Sequence, residues 1–224
     1  DTLRLARSYD DPRIEVVAHG ENRGVTAAKN SGFDRARGLW VSTLDSDDEL
    51  APDALQRLHD TAAAIDPAVA SITCHCLDAN TGLRCGTGLV GSQYTDMGAS
   101  MRVSRGEHWG IYRRETLGDH RFNEALFGME GVLWVKILRG VRWYYLDEGL
   151  RIYHTDGADR ISAMRFGDRR RDERLYRSYR ALVDDEQEYL DALRALDPAE
   201  HHRTLSRLLG QFALEGDVAR FDRV

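Results

Sequence analysis

The run Leu39-Trp40-Val41-Ser42-Thr43-Leu44 leads directly into Asp45-Ser46-Asp47-Asp48-Glu49, and Pro52 follows three residues later. A short apolar stretch of this kind reads as a buried strand, and a proline near the first turn opens a helix over 52–64. Three aspartates in four positions therefore sit at the carboxyl end of a strand, where open α/β sheets bind their ligands. Carboxylates that repel one another are most simply held together by a cation, and hard oxygens of this type suit Mg²⁺ or Mn²⁺ carrying a diphosphate. The same charges would also serve as a solvated cap facing the positive end of the following helix. The stretch alone leaves both readings open. It does exclude an EF-hand: counted from Asp45, position six is Leu50 where that loop needs Gly, and position twelve is Gln56 where it needs Glu.

The surrounding pattern points to an α/β fold. Residues 3–7 have a helical period, and 13–17 read as a strand after the Asp11-Pro12 turn. Asn22-Arg23-Gly24 makes a turn into a helix over 25–37 with Gly38 as its C-cap, before the strand at 39–44. Strand, helix, strand, helix is the rhythm of a parallel sheet with crossovers. Beyond Asp66-Pro67, runs at 68–77 and 84–90 look like a hairpin about the turn 78–82, while 91–107 is polar and irregular. An apolar run at 109–112, a helix at 124–138, and short strands at 141–146 and 150–154 follow. From 169 onward the pattern is helical, with a break at Asp197-Pro198.

Composition bounds the function classes. The 224 residues suffice for one generous domain and a helical appendage, and 42% hydrophobic with 30% charged residues is ordinary for a globular cytosolic protein. A net charge of −6 with scattered arginines argues against nucleic acid as a partner. No apolar run approaches the ~20 residues of a membrane-spanning helix. The expected location is cytoplasmic, with the C-terminal helices available for acceptor selection, dimerisation into a homo-oligomer, or membrane-peripheral docking. Cys74, Cys76 and Cys85 lack the number and spacing of a disulfide framework. Strand alternation turns Cys74 and Cys76 to one face and His75 to the other, which favours buried small residues over a zinc site.

The order of motifs then narrows the field. Asn22-Arg23-Gly24, Ala27-Ala28-Lys29-Asn30, Gly32, Ala36, Gly38 and Asp45-Ser46-Asp47 resemble the N-x-G-x-x-x-A-R-N-x-G, A-x-G and D-x-D signature of family-2 glycosyltransferases with the GT-A fold. His108-Trp109-Gly110-Ile111-Tyr112 resembles the start of that family's acceptor segment, and Arg121-Phe122-Asn123-Glu124-Ala125-Leu126 its F-x-E-x-L continuation. The resemblance covers roughly residues 1–162. It implies a Rossmann-like mixed sheet flanked by helices over 1–165, and a C-terminal helical extension over 166–224.

Roles follow from the same resemblance. Asp45 and Asp47 would be the metal pair, Asp45 also reaching the donor, while Asp48 and Glu49 serve the next helix. Lys29 stands where the family commonly has Arg and would contact the donor's base or phosphates. His154 would complete the metal shell, and Arg160 would bind phosphate. The general base falls on Glu130, where the family usually has Asp of a Glu-Asp pair; Met129 takes the place of that Glu, and Gly131 replaces an apolar or aromatic residue. Asn22 and Asn30 read as turn and helix-positioning residues, and Trp109 and Tyr112 as core or as a sugar-stacking wall. The implied activity is metal-dependent, inverting transfer of a sugar from a nucleotide-sugar donor, UDP- or dTDP-linked, to a hydroxyl acceptor on a saccharide, lipid-linked or small molecule. A catalytically impaired binding module and a nucleotidyltransferase-like enzyme are the alternatives. Family members open with a base-binding strand and a D-D-G-S-x-D segment; this sequence opens at about that segment's last Asp, so a partial sequence, or a segment supplied by another polypeptide, is expected.

Overall fold

The structure, a computed structural model, describes residues 2–155 and 169–224. Arg160 and the expected 165/166 boundary lie outside the described residues.

After helix α1 (Thr2–Ala6), residues 13–17 form no strand. Ile14 and Val17 are exposed, and no described strand lies alongside to take up their backbone groups, so an apolar alternation alone does not make a ladder there. Helix α2 (Val25–Arg35) ends two residues earlier than its periodicity suggests, at an extended Ala36 rather than at Gly38. Gly38 answers a different need: a Cβ there would stand 2.9 Å from the Trp40 carbonyl oxygen.

The main sheet is mixed. Strand β1 (Trp40–Val41) precedes β2 (Glu49–Leu50), helix α3 (Ala54–Ala64) and the central strand β3 (Ser71–Asp78). A small ribbon of β4 (Gly86–Thr87) and β6 (Arg105–Gly106) brackets β5 (Gln93–Asp96) and helix α4 (Met97–Val103), which replace the irregular stretch expected at 91–107. The cap is local: the Ala99 N–H donates to the Asp96 carboxylate at 2.8 Å. Then come β7 (His108–Arg113), α5 (Arg114–Leu117), α6 (Gly131–Leu138) and β8 (Arg142–Tyr153). The strand order is β1-β7-β3-β8-β2, with β5 also on β8; β3 and β8 run parallel and every other pair antiparallel. β7 thus separates the two strands that the α/β rhythm would make neighbours.

Two further expectations change for a packing reason. The supposed hairpin survives only as the Leu77–Arg84 bridge, because β3 is taken on both sides by β7 and β8. The strands expected at 141–146 and 150–154 are one strand with a bulge. Between Thr73 and His75 of β3, β8 advances from Tyr145 to Gly149, which releases Asp147 to Arg84 at 2.5 Å and Glu148 to Arg57 Nε at 2.8 Å.

Alternation divides the core between the two faces. Ile72, Cys74 and Cys76 pack with Ala54 and Leu58 of α3; Tyr112, Trp143 and Ala70 pack with Phe33 of α2 and Leu133 of α6. Both cysteines are fully buried and share a face, as alternation requires. The chain ends in α7 (Arg169–Asp185), α8 (Gln187–Leu196), α9 (Pro198–Glu215) and α10 (Val218–Phe221). These helices share a core with α6, since Val132 and Leu126 join Leu182, Leu190, Leu208 and Phe212. A polar tie accompanies it: buried Glu186, at the break between α7 and α8, meets Lys136 Nζ at 2.5 Å and the Asn123 amide at 3.1 Å.

Candidate active site

One cavity of about 600 Å³ opens beside the ends of β1 and β8, and it gathers Lys29, Asp45, Asp47, Glu107, Glu130 and Arg151. The sheet positions them. Ser42 Oγ donates to the Gly110 carbonyl at 2.6 Å and Trp109 Nε1 to the Thr43 carbonyl at 2.7 Å, so the chain beyond β1 stays clamped to β7 and delivers Asp45 to the rim. Gly110 permits that approach on its other side, where a Cβ would stand 2.4 Å from the Ile72 carbonyl oxygen. Tyr112 stacks on Trp134 with ring centroids 4.2 Å apart, and both line the wall.

Helix α2 brings Lys29. The Asn30 side chain receives the Phe122 N–H and donates to the Phe122 carbonyl, both at 2.9 Å, and is itself buried. This pair of bonds joins α2 to the segment that runs on to Gly128 and Glu130. Asn22 has the local role expected of it, accepting the Gly24 N–H at 3.0 Å ahead of a positive φ at Gly24.

Lys29 Nζ stands 2.9 Å from Asp45 Oδ1 and 3.9 Å from Glu130. Asp45 Oδ2 accepts from Arg151 at 3.1 Å. Asp47 is exposed to the cavity and makes no hydrogen bond or ion pair among the described residues. Glu130 occupies the N-cap position of α6 without a side-chain capping bond, and Met129 turns away to pack on the C-terminal helices. His154 does not line the cavity; its ring stands 3.0 Å from Glu49.

The assignment of Asp48 and Glu49 to the following helix is corrected. The N-cap of α3 is Asp53, and Asp48 is fully buried on Arg151, with its second oxygen accepting the His154 N–H at 3.0 Å. Arg151 was legible as a problem, being an arginine inside the apolar run Leu150–Tyr153 that a strand would bury. Its partners are a hundred residues away and were not legible. Glu107, whose Oε2 lies 3.9 Å from Arg151, gave no sequence signal. Burial, helped by the charges of Asp45, Glu130 and Asp48, raises its carboxyl above the usual range against the pull of Arg151.

Residues 1–113 match the model of glycosyl transferase family 2. The chain belongs to that family. Among curated relatives, it is 32% identical over 136 residues to the GalNAc(5)-diNAcBac-PP-undecaprenol beta-1,3-glucosyltransferase of Campylobacter jejuni, covering 58% of this chain and 43% of that protein. It is 41% identical over 69 residues to the succinoglycan biosynthesis protein ExoO of Rhizobium meliloti, covering 31% of this chain and 20% of the relative. The chain thus spans less than half the length of these relatives. Its mixed sheet with flanking helices is the GT-A arrangement expected of a family-2 domain. No helix of the described residues is long and apolar enough to cross a membrane.

Proposed function

We propose that this chain carries the donor site of a metal-dependent, inverting glycosyltransferase that uses a UDP- or dTDP-sugar and a hydroxyl acceptor. The observation that carries the reading is the charge of the cavity: among the described residues, four carboxylates face only two cations there. A divalent ion is the complement of that set. Asp45 Oδ1 is buried without a hydrogen bond, the ammonium of Lys29 standing 2.9 Å away but poorly aligned, and Asp47, unpaired among the described residues, lines the same cavity. These two oxygens fit Mn²⁺ or Mg²⁺, which bind through one or two carboxylates and take their other ligands from phosphate and water. No group of three metal-ligating side chains converges among the described residues, and His154, expected in the metal shell, stands against Glu49 at 3.0 Å.

The ion, when bound, offsets charge on the departing nucleoside diphosphate. Lys29 holds Asp45 and faces the same phosphates. Glu130, across the cavity, takes the proton from the acceptor hydroxyl as general base. The undecaprenol-linked saccharide in the name of the Campylobacter relative supports a lipid-linked or saccharide acceptor. The test is turnover of a panel of nucleotide sugars by the intact protein with and without Mn²⁺. Asp47→Ala is expected to abolish metal-dependent turnover, and Glu130→Gln to lower kcat by roughly 10²–10⁴-fold with donor binding retained. Absence of turnover with every donor, together with no metal-dependent binding of a nucleoside diphosphate, refutes the proposal.

A further inference from the structure

Arg151 lines the cavity, engages two aspartates at once and has no role in the reading above. It lies in β8 opposite Leu50 of β2 and Cys76 of β3, so the backbone around it is sheet on both sides. Its side chain is 7% exposed. A guanidinium so buried must be paired, and it is: Nε donates to Asp48 Oδ2 at 2.8 Å, Nη2 donates to the same oxygen, and Asp48 is 0% exposed. Because Asp48 Oδ1 takes the His154 N–H, both oxygens of this aspartate are spent on β8 and its exit. The acidic loop is thereby anchored to the strand through a residue that does not line the cavity.

The same Nη2 reaches Asp45 Oδ2 at 3.1 Å. One oxygen of Asp45 is thus committed to the protein, and the other is left without a hydrogen bond on the side of Lys29. We propose that Arg151, anchored by Asp48, is a positioning residue that fixes the Asp45 carboxylate so that Oδ1, beside the Lys29 ammonium, is held toward the metal that carries the diphosphate. A planar guanidinium offers its donors in a rigid, fixed geometry, whereas the ammonium of a lysine is a mobile point charge that does not fix a carboxylate's orientation. The inference rests on the functional reading above, in which Asp45 holds the metal, and adds to it the residue that orients Asp45.

The experiment measures nucleoside diphosphate binding to the intact protein by calorimetry, once with Mn²⁺ and once with EDTA, for wild type and Arg151→Lys, with melting temperatures alongside. Loss of an outer-shell partner costs ~10- to 100-fold in metal affinity. The Mn²⁺-dependent binding of Arg151→Lys is therefore expected to weaken by that factor, with the residual EDTA binding unchanged. An equal loss in Mn²⁺ and EDTA makes Arg151 a direct phosphate ligand and overturns the proposal. A lowered melting temperature with undiminished Mn²⁺-dependent binding makes it merely structural and overturns it too. Where Arg151→Lys does not fold, Asp48→Asn keeps the cation, removes its anchor and must give the same selective loss. If wild type itself shows no Mn²⁺-dependent binding, the metal reading fails first, and this inference with it.

Discussion

Replacing Asn30 with alanine tests the join on which the site depends. Its amide closes two bonds at 2.9 Å with the backbone of Phe122, and no other partner for either Phe122 group is seen among the described residues. Truncation orphans one buried donor and one buried acceptor, each costing about 1–3 kcal/mol. Alanine's better helix propensity returns about 0.5 kcal/mol. The net expectation is a loss of about 2–5 kcal/mol, which for a chain of this size lowers Tm by ~5–15 °C. Asn30→Asp discriminates further, since it keeps an acceptor for the Phe122 N–H but sets an oxygen against the Phe122 carbonyl, and it should be no better than alanine. Urea unfolding followed by circular dichroism gives the free energy. Hydrogen exchange at residues 121–126 should rise in both variants, because the local tie is lost before the sheet opens. A loss below about 0.5 kcal/mol for alanine, or a wild-type value for aspartate, would show that the two bonds do not hold α2 to this segment.

Two further outcomes follow from buried or paired groups elsewhere. Burial pushes the Cys74 and Cys76 thiols up to about 12, whereas Cys85 is partly exposed, so a disulfide reagent at pH 8 should label Cys85 alone in the native protein and the other two only on unfolding; three thiols reacting at one native rate would contradict this. The hydrogen bond from Arg220, then that from Arg223, holds the Asp184 carboxyl below the usual range and ties α10 to α7. Because the folded value lies below the unfolded one, the stabilisation is present above the unfolded value and is lost as pH falls through the folded value. Asp184→Asn should therefore cost under ~1 kcal/mol at neutral pH, with the gap to wild type closing on acidification; a gap that widened in acid would refute the pairing.

Local physics was sufficient for several elements. Helix α2, the proline-led approach to α3 and the Asp197-Pro198 break are each specified by neighbours within one or two turns, and each is present. The motif order from Asn22 to Asp47 was likewise enough to identify the family, because those spacings are one-dimensional. Pairing was less legible. The segment at 13–17 alternates like a strand and forms none, and the strands on either side of Asp147 are one, since a ladder depends on what lies alongside.

In the site, sequence marked Lys29, Asp45, Asp47, Glu130, His154 and Arg160; the first four line one cavity, His154 does not line it, and Arg160 lies outside the described residues. It could not divide the acidic run by role. Asp48 and Asp45 differ by three positions, yet one is sealed against Arg151 and the other opens to the cavity. That division is made by a cation from a strand a hundred residues later, and only the folded sheet brings it there. Chain-local patterns determine which residue types are present and which elements form; contacts between distant segments decide which charges are buried in pairs and which remain free to bind.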